Sequence, residues 1–542
     1  MERDPDADLA TLKSVHAAAT AGDYARAAAL AEPVLAAGLE HPLLYNVVAL
    51  WREREGELDA AARLLERGVR QFPDDVGIRN AFGLCLLRLE RPAEALVQFE
   101  ALLASQPALP FLHASRGSAL LGLGALTRAE ESFKRALEFE PNHVVALAGL
   151  ANIANRRGQY REGRALAERA LDVVPDYPDA LMSLAAAEVG AGEPVSAIPR
   201  LAALAADERL SPLERAYAKG LGGDALDALG RPAEAFAAYQ RCNESLERFY
   251  RQRFAGRPSA LAYVESLIGY FDAARPNDWR RPATAPEASA VRAHVFVLGF
   301  PRSGTTLLEL ALEGSPGALA VGETDFLVDG ALEFMQDAAG LGRLRAAGAD
   351  VIKRLREAYW ARAAAAGVTA AGRVFIDKHP LNTLKLPLIA RLFPDARVVY
   401  AYRDPRDVVL SAFRYRFEMS AVAYELLSLQ GVARFYVAVM ELAEHFKRVL
   451  PVALRRVRYE TLVDDFDGEM RRLCEFAGIE WSPAMRDVAD RTRERATATP
   501  SIAQLARGLD ARGVGGWRRY RDELAPVLPL LEPWVHHMGY EP

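Results

Sequence analysis

Residues 295–310 read VFVLGFPRSGTTLLEL, and inside that run the guanidinium of Arg302 stands beside the hydroxyls of Ser303, Thr305 and Thr306. Gly299 and Gly304 bracket the group. The apolar run at 295–298 has the pattern of a central parallel strand, and residues 305–312 have helical character. A strand that feeds a helix through such a turn aims backbone N–H groups and the positive end of a helix dipole at one point, which is the chemistry of anion binding. A phosphate loop for ATP carries Lys after its last glycine, to reach the β/γ-phosphates, and Ser or Thr for magnesium. Here Thr305 follows Gly304, and the charge comes from Arg302 ahead of it. The loop suits a phosphate-containing ligand that needs a fixed guanidinium more than a metal ion. A nucleotide kinase would lack its lysine.

A second constellation lies about a hundred residues on, in ARVVYAYRDPRDVVLSAF. Its apolar run at 398–402 ends at Arg403; Asp404 then stands as N-cap, Pro405 at the first helical position and Asp407 in the first turn. Ser411 falls about two turns into that helix, on the face shared with its start. Arg403 and Ser411 thus form a separate grip for a second phosphate.

Four segments must position these groups. Strands are expected at 295–298, 374–376, 398–402 and 454–457, and Arg302, Lys378, Arg403 and Tyr459 each follow one of them. Ligands of open α/β sheets lie outside the carboxyl ends of the strands, so the four residues converge on one crevice. Intervening helices supply the right-handed crossovers.

The first half is different in kind. Pro73, Pro107, Pro141 and Pro175 recur every 34 residues, and Gly56, Gly124, Gly158 and Gly192 keep the same ruler, with Glu90 at one turn-glycine position. Ala61, Ala95, Ala129, Gly163 and Ala197 mark a small residue in each period, where two helices touch. Each unit reads as helix, Gly turn, helix, Pro stop. These features resemble tetratricopeptide repeats and imply a helical solenoid, a platform for partners or acceptors. After Cys242, residues 243–254 and then 261–271 keep helical spacing, as for a capping helix or two, and the Pro- and Ala-rich stretch 274–292 reads as a linker.

Composition bounds the rest. The chain has 542 residues, 51% of them hydrophobic and 26% charged, which is too long for one ordinary core. Its net charge of -5 provides no global attraction to nucleic acid or an anionic membrane, so neither is expected as a partner. Cys85, Cys242 and Cys474 are far apart and form no CxxC, which argues against a disulfide framework or zinc site. No cationic leader with an apolar core opens the sequence, and no run of ~18 apolar residues follows. A cytoplasmic protein is expected, and the Ala- and Arg-rich, Lys-poor usage suits a bacterium.

Taken together, PRSGTT and the R-D-x-x-D-x-x-x-S run from Arg403 to Ser411 resemble the sulfotransferase family. The resemblance covers residues 293–540, with its nearest flavour in the tyrosylprotein sulfotransferases and in bacterial tetratricopeptide-sulfotransferase proteins. It implies that 3′-phosphoadenylyl sulfate (PAPS) is the donor and PAP the product, without a metal. It also implies that Arg302, Ser303, Gly304, Thr305, Thr306 and Leu307 hold the 5′-phosphosulfate, while Arg403 and Ser411 hold the 3′-phosphate. Tyr459, in RVRYETLV, and Ser501 and Trp517, in TPSIAQLARGLDARGVGGWRRY, match nucleotide contacts of the family; Gly516 stands where relatives commonly carry Lys or Arg. Lys378, in RVFIDKHPLN, matches a lysine that stabilises the bridging oxygen as the nucleotide departs. Glu323, in VGETDF, is the first choice of base for the acceptor proton, by analogy with the tyrosylprotein enzymes, and His379 is the rival.

The expectation is therefore an α plus α/β protein. A tetratricopeptide solenoid over 1–245, capping helices and linker over 246–292, and a P-loop-like sulfotransferase domain with a parallel central sheet over 293–542 follow one another. The acceptor is a hydroxyl, such as a protein or peptide tyrosine or a polysaccharide. The alternative is a repeat scaffold with a catalytically silent nucleotide-binding module.

Overall fold

The computed structural model describes residues 5–279, 291–494 and 513–541. The chain divides into two compact units: one holds residues up to 155 and 161–184, the other holds 156–160 and continues from 185 onward.

The first unit is a succession of helical pairs, such as Leu58–Gln71 after Pro42–Arg54 and Leu126–Phe139 after Pro110–Gly122. Gly56 and Gly124 make the intervening turns with φ of 83° and 70°. Glu90 adopts φ 56° at the equivalent place, so this turn keeps its left-handed residue without the glycine that would favour it. Pro73 and Pro107 lie just past helices that end at Gln71 and Ser105. Ala61, Ala95 and Ala129 are fully buried. At the same repeat position a Cβ on Gly163 would lie 2.1 Å from Asn155 Oδ1, which explains the small side chain. The apolar groups form several local clusters rather than one core, as stacking of hairpins dictates.

The second unit begins with further helices, among them Pro212–Ala228, Pro232–Phe254 and Ala260–Asp272. Its centre is a five-stranded sheet of β1 (Ala293–Gly299), β2 (Ala318–Ala320), β3 (Val374–Lys378), β4 (Arg397–Tyr402) and β5 (Ala453–Arg458). Every pairing is parallel and the order is β2-β3-β1-β4-β5. The connection leaving β1 runs toward β2 and the one leaving its neighbour β4 runs toward β5, so the switch point, where a crevice opens beyond the strand ends, lies between β1 and β4. Four strands lie where the apolar runs predict them. The fifth, β2, is three small residues at a sheet edge and has no apolar signature.

Alternate residues of β1 face opposite layers. Val295 and Val297 pack with Ile376, Val399 and the Thr305–Glu313 helix, whereas Phe296 and Leu298 pack with Phe375, Val398 and Tyr400. The second layer also takes in Ala235 and Tyr239 of the Pro232–Phe254 helix and Phe271 of the next. The last helical hairpin therefore shares its core with the sheet. No helix among the described residues is long and apolar enough to cross a membrane.

Candidate functional site

The loop after β1 is held from below and shaped by its backbone. The Thr383 hydroxyl accepts from Gly299 N at 3.2 Å and lies 3.1 Å from Gly299 O, pinning the strand end. Arg302 adopts φ 74°, a conformation that a side chain of this size rarely takes, so the surrounding structure must enforce it. Gly304 has φ 97°, and a Cβ there would lie 2.6 Å from the Tyr459 ring. The Thr305–Glu313 helix opens at Gly304 with no side-chain cap, and Ser303, Thr305, Thr306 and Leu307 are buried around it.

Arg302 joins this loop to the second constellation. Its Nε donates to Ser411 Oγ at 3.0 Å, and its guanidinium lies 5.1 Å from the Tyr415 ring centroid. Burial lowers its pKa to about 10, which leaves it cationic at neutral pH. Arg403 sits at the end of β4, 5.0 Å from the Tyr459 ring centroid, and donates to Arg302 O at 3.4 Å and to Gly513 O. Its Nε is buried with no partner among the described residues. An unpaired buried donor of this kind is costly unless a ligand or water meets it.

Asp404 caps the Pro405–Arg414 helix and holds Arg406 in a two-point pair at 2.8 and 3.0 Å. Asp407 does something its sequence position does not reveal. Its carboxylate accepts from Gly515 N at 2.7 Å and Trp517 N at 2.8 Å, and so ties the C-terminal segment to the start of this helix. Burial raises its pKa, while Arg403 and the two backbone donors act in the opposite sense. Trp517 is buried, with Arg406 stacked 4.0 Å from its ring centroid and its indole N–H unpartnered among the described residues.

A second cluster forms at the end of β3. Lys378 is fully buried, with Nζ 2.6 Å from Glu323 Oε1 and 3.2 Å from Glu309 Oε2. Glu309 is also fully buried and accepts from Gly322 N at 3.0 Å, which fixes the residue before Glu323. Glu323 keeps about a third of its side chain exposed, at 32%. His379 is partly buried; burial lowers its pKa, with the Glu323 charge acting against that, and its Nδ1 has no partner among the described residues. The Glu323 charge also acts on Arg302, which links the two clusters electrostatically.

Behind Lys378 runs a buried chain of polar groups. Tyr359 OH donates to Asp377 Oδ2 at 2.7 Å and lies 2.9 Å from His294 Nε2. Burial raises Asp377 to about 7 and lowers His294 to about 3. The raised acid costs stability progressively as pH rises from about 4 to 7, because the unfolded chain has already released that proton. The depressed histidine adds stability from about 3 to 6.5, because there the unfolded chain binds the extra proton. The two offset over most of this interval. Asp377→Asn removes one of them, so the variant's unfolding free energy should rise from pH 4 to 6.5 by about 3 kcal/mol more than the wild type's, as measured by urea unfolding at each pH.

The structure thus brings Arg302, Ser303, Gly304, Thr305, Thr306 and Leu307 into one loop, and Arg302, Arg403, Ser411 and Tyr459 into mutual contact or one contact removed. Trp517 reaches them through Asp407. Glu323 and Lys378 are in contact with each other, and His379 follows directly. Ser501 lies outside the described residues. Glu309 and Asp407 were not expected as site residues. For Glu309 the available signal is a carboxylate set between Leu308 and Leu310 in the middle of the apolar helix TTLLELALE.

Residues 294–483 match the model of the sulfotransferase family, and residues 3–175 and 148–208 match tetratricopeptide repeat models. The chain therefore joins an array of tetratricopeptide repeats to a sulfotransferase-family domain with a parallel sheet. An uncharacterized protein of Aquifex aeolicus is 27% identical over 44% of this chain and 32% of its own length. Protein-tyrosine sulfotransferase A of Caenorhabditis elegans is 22% identical over 46% of this chain and 67% of its own length. The chain thus spans about a third of the first relative and two thirds of the second. Among solved structures, a tetratricopeptide repeat protein of Parabacteroides merdae aligns with a TM-score of 0.36 and 17% identity, over 44% of this chain and 93% of that one.

Proposed function

We propose that this protein is a PAPS-dependent sulfotransferase acting on a hydroxyl acceptor, such as a protein or peptide tyrosine or a saccharide. We further propose that the repeats are the platform for acceptor or partner, and that the protein works in the cytoplasm. The observation that carries the reading is the Arg302–Ser411 hydrogen bond, which joins an anion-binding loop to a second arginine-bearing grip at one switch point. The residues suit a bisphosphorylated nucleotide. Gly304 lets the Tyr459 ring approach the loop where a Cβ would lie 2.6 Å from it, and Arg403 Nε is a buried donor without a partner among the described residues.

When bound, PAPS supplies an activated sulfuryl group and leaves as PAP. Arg302, Thr305 and Thr306 with the backbone donors of the loop bind the 5′ end, and Arg403 and Ser411 bind the 3′-phosphate. Tyr459 walls the nucleotide site against Gly304 and Trp517 closes it, while Ser501, a nucleotide contact by the family resemblance, lies outside the described residues. Lys378 offers positive charge to the departing oxygen, in a buried setting where fixed charge acts strongly. Glu323, beside it and partly open to solvent, takes the acceptor proton. No metal is needed in this scheme, because a sulfuryl group carries less charge than a phosphoryl group and fixed cations suffice.

Calorimetric titration of the full chain with PAP in EDTA tests the reading. Micromolar or tighter binding is expected, weakened about tenfold or more by Arg302→Ala and by Arg403→Ala, the scale of a lost charge-assisted hydrogen bond. Absence of binding by the folded wild-type protein would sink it.

A further inference from the structure

The last helical hairpin of the repeats, Pro212–Ala228 with Pro232–Phe254, carries two acids that face the nucleotide-site helix. Asp227 Oδ2 accepts from Arg414 at 2.5 Å, and Asp224 Oδ2 accepts from Arg416 at 2.6 Å. Those arginines flank Tyr415, the ring against which Arg302 stacks. Arg414 ends the helix that holds Ser411 three residues earlier. Tyr239 of the hairpin completes the arrangement: its hydroxyl donates to Asp224 at 3.0 Å and accepts from Arg414 at 3.1 Å.

The other oxygen of Asp227 reaches a different part of the chain. It accepts from Tyr520 OH at 2.6 Å and pairs with Arg519 at 3.1 Å. Both belong to the segment that carries Trp517 and is tied to Asp407. One carboxylate therefore binds the hairpin, the Ser411 helix and the C-terminal segment together. Burial works against the charged form of Asp227, yet Arg414, Tyr520 and Arg519 hold its pKa below the ordinary carboxylate value. Asn243 Nδ2 donates to Phe413 O at 2.9 Å, and Phe236 stacks on Phe413 at 5.0 Å, which sets the approach of hairpin and helix.

A mere structural joint would need only the apolar part of this contact. Three cations, Arg414, Arg416 and Arg519, and two tyrosine hydroxyls, those of Tyr239 and Tyr520, converge on Asp224 and Asp227 and do more, because they fix the two segments that carry Ser411 and Trp517. We infer that Asp227 is a positioning residue for the nucleotide site, so that the end of the repeat array sets the affinity for the donor. The inference rests on the PAPS reading above. It makes the terminal hairpin part of the nucleotide-binding machinery as well as the end of a platform.

The test uses the full chain, with PAP titration in EDTA for wild type, Asp227→Asn, Asp227→Glu and Tyr520→Phe. Asp227→Asn is expected to weaken PAP binding about tenfold, as misplacement of binding groups does, and to raise KM for PAPS with kcat changed less than about threefold. Asp227→Glu should recover part of the affinity. Tyr520→Phe keeps the ring and removes one hydrogen bond to Asp227; it should weaken PAP about threefold and serves if Asp227→Asn does not fold. PAP affinity within twofold of wild type in folded Asp227→Asn, or in Tyr520→Phe where Asp227→Asn does not fold, would overturn the inference. Failure of the wild-type protein itself to bind PAP would overturn the PAPS reading and this inference with it.

Discussion

Lys378→Met should destabilise the second unit by about 3–5 kcal/mol and abolish sulfuryl transfer, because the lysine lies fully buried between two carboxylates. Methionine fills the space of the chain but leaves Glu309, at zero exposure, without its cation. Glu309 keeps the Gly322 N–H on its other oxygen, and Glu323 lies close by on the same lost partner. Removing one member of a buried pair costs far more than removing both. The double variant Lys378→Met/Glu309→Gln is accordingly expected to recover most of the stability and none of the activity. Urea unfolding of the three proteins measures this. Equal stability of Lys378→Met and wild type would show that Glu309 does not depend on the lysine.

Glu323→Gln should lower kcat for sulfuryl transfer by about 10²–10⁴-fold while PAP affinity stays within about threefold of wild type. The substitution preserves size and an oxygen that can face Lys378 Nζ, so loss of the proton acceptor is the main change. His379→Gln is the comparison. His379 is held toward its neutral form by burial, which suits a base at neutral pH, but its ring is partly buried and follows Lys378 rather than pairing with it. Initial rates of PAP formation with a hydroxyl acceptor separate the two. A large loss in His379→Gln with little change in Glu323→Gln would reassign the base to His379.

How much of this was legible in the sequence depended on the range of the interaction. The strands β1, β3, β4 and β5 announce themselves because central parallel strands are buried on both faces and read as apolar runs. The edge strand β2, Ala318–Ala320, does not, because three small residues carry neither length nor pattern. The repeat ruler gave the helical pairs, and even its exception was informative: Glu90 breaks the glycine spacing yet keeps the left-handed turn. Arg302, Arg403 and Ser411 sit in short motifs whose local chemistry points to an anion. The Asp407 clamp was hidden because its partners lie 108 and 110 residues away, at Gly515 and Trp517. Glu309 was hidden by an apolar helix, and Asp227 by distance along the chain, since Arg414 and Tyr520 lie 187 and 293 residues away.

The most direct test of the central claim is a crystal structure of the full chain with PAP. The 5′-phosphate is expected on the backbone donors of the loop from Ser303 to Leu307, and the 3′-phosphate on Arg403 and Ser411, with Arg302 Nε no longer confined to Ser411. Lys378 and Glu323 should remain at the edge of the 5′ end. A nucleotide seated elsewhere, or bound with its phosphates away from Arg302 and Arg403, would rule out this crevice as the donor site.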